Sequence, residues 1–398
     1  MKILLVQETD WIDKGPFQQN HLMEKLSLRG HKIHVIDHQI QWRDYKSSLF
    51  NKRAIYKNVN KIYDGACVDV YRPGFIKIPT LDYISLFLNI NREIQWQLKN
   101  FKPDIIVGFH ILSAYLGMNV AKKASLPFIY YWVDVYHTQI PVKAYQPLGI
   151  YFEKKALSSA DQVVAINDQL IEYVVSLGTD PDKTHVIKGS VDTSKFSTDL
   201  DGNKARNELS INKNDIVLFF VGWIYHFSGL KEVAKQLVDA DDRFKLLIVG
   251  DGDAYQDLIN IRDRYGIGDR LILTGKVPYQ DVPKYISAAD ICLLPAYTNE
   301  KIMQEIVPIK FYEYMAMSKP VIATKLPGIM KEFGQDNGVV YVDSPDDVMS
   351  KAVELVNSNS LIDLGKRARN FVEKNNWDSV TDAFESLLID AVKKKNQR

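Results

Sequence analysis

The stretch IVLFFVG, from Ile216 to Gly222, begins the pattern that decides the fold. It is a short apolar run that ends in glycine, and an amphipathic helical stretch follows it. The same alternation recurs through LLIVG (246–250), LILTG (271–275), ICLLP (291–295) and VIAT (321–324). Short apolar runs that alternate with amphipathic helices are typical of a parallel sheet covered by helices on both faces. We therefore predict a doubly wound, Rossmann-like α/β domain in this part of the chain.

The N-terminal part of the chain shows the same alternation. Predicted strands lie at 3–6, 32–36, 105–108, 128–133 and 163–166, and predicted helices at 18–29 and 114–123. The segment GSVDTSKFSTDLDGNKARNELSIN (189–212) is rich in Ser, Asp, Asn and Gly, and is the best linker candidate. We predict two Rossmann-like domains, residues 1–190 and 191–372, and a separate C-terminal helix within 373–398. A cleft at the carboxyl ends of both sheets is the expected ligand site.

Composition excludes several classes of protein. The 398 residues include 50 Lys and Arg against 49 Asp and Glu, so no general electrostatic attraction to nucleic acid is expected. Cys67 and Cys292 are single thiols without neighbouring Cys or His, which argues against disulfides and structural zinc. The N-terminal apolar run is too short for a signal peptide, and the longest apolar stretches fall below the ~18 residues that a membrane-spanning helix needs. A cytoplasmic protein is predicted.

The near-neutral charge is a sum of two unequal parts. Residues 1–190 carry 23 Lys and Arg against 18 Asp and Glu, a net of +5, which leaves −4 for the rest. Part of the excess lies between residues 52 and 62, where Lys52, Arg53, Lys57 and Lys61 are interleaved with apolar residues. Two interpretations stay open: a solvated helix face, or a segment that lies on an anionic membrane. On the second, the N-terminal domain makes a peripheral contact with the inner face of a membrane.

The most informative segment for function is QEIVPIKFYEYMAMSKPVIAT, residues 304–324. Pro308 suits the first turn of a helix that continues through Met317. Glu305 precedes this helix and Glu313 lies inside it, so two carboxylates flank a helix N-terminus that attracts phosphate. Carboxylates accept hydrogen bonds from vicinal hydroxyls, so the arrangement suits a nucleotide sugar. Two glutamates at this spacing also occur on ordinary solvated helices, and only the flanking residues favour the functional interpretation.

The sequence resembles the family 4 glycosyltransferases of GT-B fold. Their signature is two glutamates separated by seven residues, and Glu305 and Glu313 have that spacing within PIKFYEYMA and KPVIAT. The resemblance covers essentially the whole chain; it is strongest across 215–345 and looser across 40–100. It implies two domains facing a central cleft, with the C-terminal helix crossing back to the N-terminal domain.

The resemblance also implies the chemistry. The expected reaction is retaining transfer of a hexose-type sugar from a UDP- or GDP-sugar to a hydroxyl, without metal or cofactor, in glycan, glycolipid or cell-surface polysaccharide biosynthesis. The donor binds the C-terminal domain, and a sugar, lipid-linked or small-molecule acceptor binds the N-terminal domain. The donor's leaving phosphate helps to deprotonate the acceptor, so no enzyme nucleophile is required.

Site residues follow from the matching positions. Glu313 is expected to bind the ribose and Glu305 the donor sugar, with Lys310 near the diphosphate as a catalytic cation. Ile306 and Val307 offer backbone to sugar and phosphate. The base turn is Gly275, Lys276 and Val277, and the remaining donor-side positions are Gly15, Gly222, Trp223, Ser228 and Gly250. Gly250-Asp251-Gly252 alternatively suggests a dinucleotide fingerprint, but the third glycine is absent.

Two departures from the family pattern concern the donor phosphates. Trp223 takes the place of the usual Arg, and Ser228 that of the usual Lys. Each charge-assisted bond to phosphate normally contributes on the order of 1.5 to 3 kcal/mol. Three consequences of the two missing cations stay open. Lys310, backbone amides and His226 compensate for the lost charges, or donor binding is weak, or activity is lost. Two interpretations of Trp223 also stay open: its ring stacks on the base or sugar of the donor, or it packs within the protein as an ordinary aromatic side chain. In the N-terminal domain Lys14-Gly15 replaces a Gly-Gly turn, where Lys14 offers a replacement charge.

The acceptor side departs from the pattern as well. Val133 stands where many members carry a His, and Asp134 follows it, so Asp134 is the candidate catalytic base or acceptor contact. An Asp at the end of a strand is alternatively a helix cap. His110 and His137 follow neighbouring strands and are acceptor-side candidates, although each alone is more often a structural His.

Two other functions remain open at this point. A non-catalytic GT-B subunit is favoured by the missing Arg and Lys, and the intact glutamate pair argues against it. A nucleotide-sugar epimerase of the same fold is the third option.

Overall fold

The computed structural model describes residues 1–39, 49–78, 81–140, 142–304, 307–374 and 376–397. The chain divides into two compact units. Unit 1 comprises Met1–Lys188 together with Trp377–Arg398, and unit 2 comprises Gly189–Asn376.

Unit 1 is built around a twisted sheet of order β10-β9-β8-β7-β1-β2-β5-β4, in which every pair is parallel except β4 with β5. Its elements are β1 (Lys2–Val6), α1 (Gln18–Leu28), β2 (Lys32–Ile36), β3 (Phe50–Asn51), β4 (Ala54–Val59), β5 (Val68–Arg72), β6 (Phe75–Ile76), α2 (Leu81–Asn100), β7 (Ile105–Gly108), α3 (Leu112–Lys123), β8 (Phe128–Trp132), α4 (Gln146–Ser159), β9 (Gln162–Ala165), α5 (Asp168–Ser176) and β10 (Thr184–Val186). Strands β3 and β6 form a separate two-stranded ribbon.

Unit 2 contains a wholly parallel sheet of order β13-β12-β11-β14-β15-β16. Its elements are α6 (Gly202–Glu208), β11 (Ile216–Val221), α7 (Leu230–Gln236), β12 (Phe244–Val249), α8 (Tyr255–Tyr265), β13 (Leu271–Gly275), α9 (Val282–Ser287), β14 (Ile291–Leu294), α10 (Lys301–Gln304), α11 (Ile309–Ala316), β15 (Val321–Thr324), α12 (Pro327–Phe333), β16 (Val339–Val342), α13 (Val348–Asn357) and α14 (Leu361–Val372). The last helix of the chain, α15 (Trp377–Asn396), belongs to unit 1.

Both sheets have the doubly wound order in which the first parallel strand lies next to the fourth parallel strand. In unit 2 this switch falls between β11 and β14, and in unit 1 between β1 and β7. Strands such as 128–132 and 291–294 are buried along their whole length, as expected when helices cover both faces. The predicted two-domain α/β fold is confirmed, and most predicted strands lie within two residues of the observed ones.

The predicted helix across residues 52–62 is wrong. Residues 54–59 form strand β4, which pairs antiparallel with β5 at the edge of the sheet. Three of the four basic residues of the 52–62 segment have partners: Arg53 with Glu93, Lys57 with Asp69, and Lys61 with the carbonyl oxygens of Trp11 and Ile12. This segment therefore does not present the helical row of free cations that the membrane interpretation required.

The predicted linker is also corrected. Residues 189–212 belong to unit 2 and carry structure of their own. Val191 bridges to Asn376, Phe196 is buried in the core of unit 2, and Asp201 caps helix α6 by accepting the backbone N–H of Asn203. The Asp, Ser and Asn residues that suggested a linker serve as caps and turns.

Helix α15 packs on α1 of unit 1. Trp377 is buried and stacks on His21 at 4.3 Å between ring centroids, and Phe384 contacts Tyr131 edge-on. Ion pairs surround these aromatic contacts, among them Lys25 with Asp378 at 2.7 Å. The aromatic burial contributes most of the attachment, because exposed ion pairs contribute at most about 1 kcal/mol. Along the described residues, no helix is both long and apolar enough to cross a membrane.

Candidate active site

Three neighbouring strands of unit 2 end in glycine at the same edge of the sheet. Gly222 follows β11, Gly250 follows β12, and Gly275 ends β13. The turns are hydrogen-bonded to each other, since Gly250 N–H donates to the carbonyl of Gly275 and Gly222 N–H to that of Val249, both at 2.9 Å. This is the carboxyl edge, where open α/β sheets bind ligands.

Gly222 and Gly250 both have a backbone conformation that favours glycine, and at Gly250 the close approach of another backbone also excludes a side chain. At Gly250 the backbone has φ +141°, and a Cβ there would stand 2.0 Å from the carbonyl oxygen of Gly222. At Gly222, with φ +129°, a Cβ would stand 2.7 Å from the ammonium of Lys310. Only glycine fits both positions. The absence of side chains lets the Lys310 ammonium reach the backbone at the end of β11.

Helix α11 holds the two charged residues of the predicted donor site. The helix begins at Ile309 with Pro308 as its N-cap, so Pro308 lies just before the first turn that it was predicted to occupy. Tyr314 fastens the helix to β11 by accepting the backbone N–H of Val221 at its hydroxyl, at 2.9 Å. Lys310 and Glu313 are thereby held at the carboxyl edge.

Lys310 lies in apolar surroundings. Its Nζ is 4.0 Å from the centroid of the Phe220 ring. Burial disfavours the charged ammonium and lowers the pKa of Lys310 to about 7, although the negative charge of Glu313 opposes the shift. An anion that binds here would strongly stabilise the charged ammonium, because nothing else at the site fully compensates the free-energy cost of its desolvation.

Glu313 is buried, with 5% exposure, and accepts a hydrogen bond from the hydroxyl of Tyr279 at 2.8 Å. Burial raises the pKa of Glu313 to about 7, against the opposing effects of Tyr279 and Lys310. A carboxylate has roughly four acceptor sites. Tyr279 uses one of them, and the rest suit a ligand with vicinal hydroxyls.

The turn after β11 carries Trp223 and leads to Ser228, the two residues that stand in place of the usual cations. Trp223 is half-buried, and its indole N–H donates to Asp253 at 3.4 Å. The ammonium of Lys276 lies 5.4 Å from the Trp223 ring centroid, a cation–π distance. Ser228 is buried at the start of α7, and His226 is exposed, 3.9 Å from Asp257. Lys276 therefore places a positive charge beside Trp223, the residue that stands where the family usually has Arg.

Other predicted donor-side residues have mixed outcomes. Val307 packs against the core of unit 2 just before α11, and Val277 follows the Gly275 turn and packs there too. Glu305 and Ile306 lie outside the described residues, so their predicted roles stay predictions. Gly15 lies in unit 1, in the turn between β1 and α1.

The carboxyl edge of unit 1 gathers the acceptor-side candidates. His110 follows β7 and has a left-handed backbone with φ +63°. Its Nδ1 accepts the backbone N–H of Glu8 at 3.3 Å, which places the ring proton on Nε2. Burial lowers the pKa of His110 to about 4, so the ring is neutral near pH 7 and offers an N–H donor. The ring lies 4.7 Å from that of Tyr136.

Asp134 and His137 follow β8. Asp134 accepts the backbone N–H of the next residue, Val135, at 2.7 Å. Val135 is the N-cap of the short helical turn Tyr136–Gln139, so this bond is not a helix cap, and the role of Asp134 as a base stays a prediction. His137 Nδ1 shares a hydrogen bond of 2.7 Å with the carboxyl group of Glu153. Glu153 is fully buried, and burial raises its pKa to about 8. His137 therefore serves as the partner of a buried carboxyl group.

Sequence reasoning missed Glu8. It follows β1 at the topological switch point of unit 1, and its carboxylate accepts the backbone N–H of Ser113 at 2.8 Å at the beginning of α3. Burial raises the pKa of Glu8 to about 7 even though backbone hydrogen bonds oppose the shift. The signal was available, because an acidic residue lies two positions after the first buried strand. Within the described ranges, no group of three or more His, Cys, Asp or Glu residues is placed to hold a metal ion.

Comparisons with known proteins identify the family. Residues 20–195 match the model described as Glycosyltransferase Family 4, and residues 201–376 match Glycosyl transferases group 1. TuaC of Bacillus subtilis, a glycosyltransferase named for teichuronic acid biosynthesis, is 24% identical over 293 residues, which are 72% of this chain and 70% of TuaC.

Solved structures share the fold across nearly the whole chain. Sucrose-phosphate synthase from Thermosynechococcus elongatus superposes with a TM-score of 0.76 at 18% identity, covering 98% of both chains. Anabaena HepE in complex with UDP-glucose gives a TM-score of 0.72 at 15% identity, covering 98% of this chain and 100% of HepE. The two family models together cover most of both units, and the chain therefore belongs to the family 4, group 1 glycosyltransferases of GT-B fold.

Proposed function

We propose that this protein is a retaining glycosyltransferase that moves a hexose-type sugar from a UDP- or GDP-sugar to an acceptor hydroxyl. The observation that carries the proposal is the pairing of Lys310 and buried Glu313 on one helix at the carboxyl edge of unit 2. A cation beside a helix N-terminus suits a diphosphate, and a carboxylate one turn further along suits ribose hydroxyls. The complex of HepE with UDP-glucose supports a nucleotide-sugar donor.

In the proposed donor complex, the diphosphate lies against the Gly222 turn, Lys310 and the first N–H groups of α11, which have no partner inside the helix. Glu313 accepts hydrogen bonds from the ribose hydroxyls. Glu305 is proposed to bind the donor sugar, and the Gly275–Val277 turn to bind the base. Lys276, held over Trp223, supplies a second positive charge near the phosphates.

The proposed reaction breaks the bond between the anomeric carbon and the diphosphate oxygen and forms a bond from the acceptor oxygen on the same face. The acceptor proton passes to the leaving phosphate, and Asp134 is the candidate to assist it. Lys310 and the helix dipole stabilise the charge that develops on the leaving group, and we propose that no metal is needed. Neutral His110 is suited to orient the acceptor as an N–H donor.

The biosynthetic context is also a proposal. The similarity to TuaC favours glycan or cell-surface polysaccharide synthesis. Trp223 and Ser228, in place of two cations, favour the alternative of a non-catalytic subunit that binds a donor without turnover. A direct assay separates the two.

The test incubates the purified protein with UDP- and GDP-hexoses and a panel of hydroxyl acceptors, and measures nucleoside diphosphate release. Glu313→Gln is expected to raise the KM for the donor by about 10–100-fold, because it removes charge-assisted hydrogen bonds. Glu332→Gln is the matched control, since Glu332 is a buried carboxylate that accepts a tyrosine hydroxyl, Tyr312, at 2.8 Å. Donor binding without release of product would establish the non-catalytic subunit, and nuclear magnetic resonance of the product tests retention.

Donor binding is expected to change protonation in opposite directions on either side of pH 7. The pKa of Lys310 is lowered to about 7 and that of Glu313 is raised to about 7, yet the complex needs a charged ammonium and an ionised carboxylate. Binding therefore takes up protons above pH 7, where Lys310 is mostly neutral, and releases them below pH 7, where Glu313 is mostly protonated. We expect about half a proton per mole in each direction at pH 7.5 and 6.5.

Isothermal titration of UDP in buffers of different ionisation enthalpy measures this exchange. Lys310→Met is expected to abolish the uptake above pH 7 and to keep the release below it. If the number of protons exchanged were the same in wild type and variant and did not change with pH, the assignment of the exchange to Lys310 and Glu313 would be contradicted.

A further inference from the structure

Helices α2, α3 and α4 form one layer over the sheet of unit 1, with α3 in contact with both neighbours. Their inward side chains join the same hydrophobic core. Their exposed residues, within 81–100, 112–123 and 146–159, form a surface that we call the α2–α4 face. The donor and acceptor chemistry proposed above uses none of these exposed residues.

The charges on the α2–α4 face have one sign. All basic residues of the three helices are exposed, namely Arg92, Lys99, Lys122, Lys123, Lys154 and Lys155. The acidic residues of these fully described helices, Asp82, Glu93 and Glu153, are all buried. Glu93 is paired with Arg53, and Glu153 with His137. As far as the structure describes the chain, none of the six basic residues is in an ion pair, so the face carries six uncompensated positive charges.

The same face exposes large apolar side chains. On α2, Leu81, Ile84 and Leu88 recur at helical spacing with exposures of 45%, 56% and 49%. On α4, Leu148 and Tyr151 are 52% and 51% exposed. Single exposed apolar residues are ordinary, but a repeated row on neighbouring helices marks an interaction surface.

Apolar and basic residues are ordered along the helices. Each of the three helices leads into a parallel strand of the main sheet, β7, β8 or β9, which starts at the opposite edge, so each helix runs away from the carboxyl edge. Most of the exposed large apolar residues lie in the first half of α2 and α4, with Trp96 of α2, 40% exposed, as the exception, and the basic residues lie in the second half of all three helices. The apolar side chains therefore border the edge that carries His110 and Asp134.

We propose that the α2–α4 face docks on the surface of an anionic lipid bilayer. A bilayer surface offers anionic headgroups and an apolar layer together, and the face presents both complements. A nucleic acid would satisfy only the basic residues, and a second copy of this chain docked through the same face would bring six further positive charges against the six already there. The charge pattern thus selects the lipid surface among these occupants.

Docking in this way brings the carboxyl edge of unit 1 close to the headgroups. Together with the proposed function, on which this consequence rests, it favours an acceptor that is itself anchored in the membrane. The docking surface differs from the 52–62 segment suggested by charge alone.

The experiment is flotation of the full chain with vesicles of phosphatidylcholine, with and without 30% phosphatidylglycerol, in the absence of nucleotide. Wild-type protein is expected to float only with the anionic vesicles, and less at high salt. A charge variant combines Lys122→Gln, Lys123→Gln, Lys154→Gln and Lys155→Gln. At about fivefold per basic residue, its partition coefficient is expected to fall on the order of several hundredfold.

An apolar variant, Leu81→Ser with Ile84→Ser and Leu88→Ser, is expected to lose at least about tenfold in partitioning. The control, Lys393→Gln with Lys394→Gln, removes two exposed basic residues from α15 and should change binding by much less. Circular dichroism confirms that each variant is folded.

Several outcomes would overturn the proposal. Failure of the wild-type protein to float, or its equal flotation with neutral and anionic vesicles, contradicts the proposal. So does a control variant that loses as much vesicle binding as the charge variant. If the wild-type protein did not float but self-associated in gel filtration, and the apolar variant abolished this self-association, the face would be a subunit interface instead. Nucleoside diphosphate release measured on the same variants reports the proposed function separately, so failure of docking and failure of catalysis are distinguishable.

Discussion

Replacement of Lys310 by methionine is expected to lower kcat for sugar transfer by about 10²–10³-fold. The ammonium is held at the Gly222 turn by α11, in apolar surroundings where its charge is poorly solvated until an anion arrives. Stabilisation of the leaving diphosphate is therefore larger in the transition state than in the ground state, and its loss should appear in kcat as well as KM.

Lys319→Met is the matched control for this prediction. Lys319 is another partly buried lysine of unit 2 with a lowered pKa, and it donates to the backbone carbonyls of Ser287 and Ala289. Its replacement should reduce stability and leave kcat per folded molecule within about threefold. A Lys310 variant with kcat near the wild-type value would exclude Lys310 from leaving-group stabilisation.

Gly250→Ala is expected to destabilise unit 2 by about 2–4 kcal/mol and to weaken donor binding. The added methyl group would overlap the carbonyl oxygen of Gly222 at 2.0 Å, on a backbone whose φ of +141° disfavours any side chain. The turn after β11 must move to relieve the overlap, and it carries the backbone against which Lys310 lies. Urea denaturation measures the loss of stability, and titration with UDP measures the loss of affinity.

Gly268→Ala serves as the control. No described heavy atom lies within 4 Å of the position that its Cβ would take. We expect its free energy of unfolding to stay within about 0.5 kcal/mol of the wild-type value. If both variants were equally stable, the Gly222–Gly250 contact would not constrain the site.

Much of the donor side could be predicted because it is encoded locally. The helix that carries Lys310 and Glu313 begins next to a proline and is followed by a buried strand, and both signals are read within twenty residues. The shifted pKa values of the two residues were not predictable, since they depend on the burial that Phe220 and Tyr279 provide from other elements.

The errors have a common physical origin. Ile55, Val59 and Ile62 recur at spacings of four and three, which is the period of a helix, yet β4 forms because it can pair with β5. Arg53 and Lys57 find their carboxylates on α2 and β5, far away in the sequence. Neither strand pairing nor ion pairing across such distances is visible in local periodicity.

The sequence by itself determined the alternation of strands and helices, the two doubly wound sheets and the helix of the donor site, because each follows from local patterns of apolar residues, prolines and glycines. Only the tertiary structure decided which charges remain free. It buried Glu93 of α2 and Glu153 of α4, paired Arg53 and Lys57 with carboxylates, and left six basic residues on the α2–α4 face. Burial and partners depend on contacts between distant segments, so they are properties of the fold and cannot be read from composition.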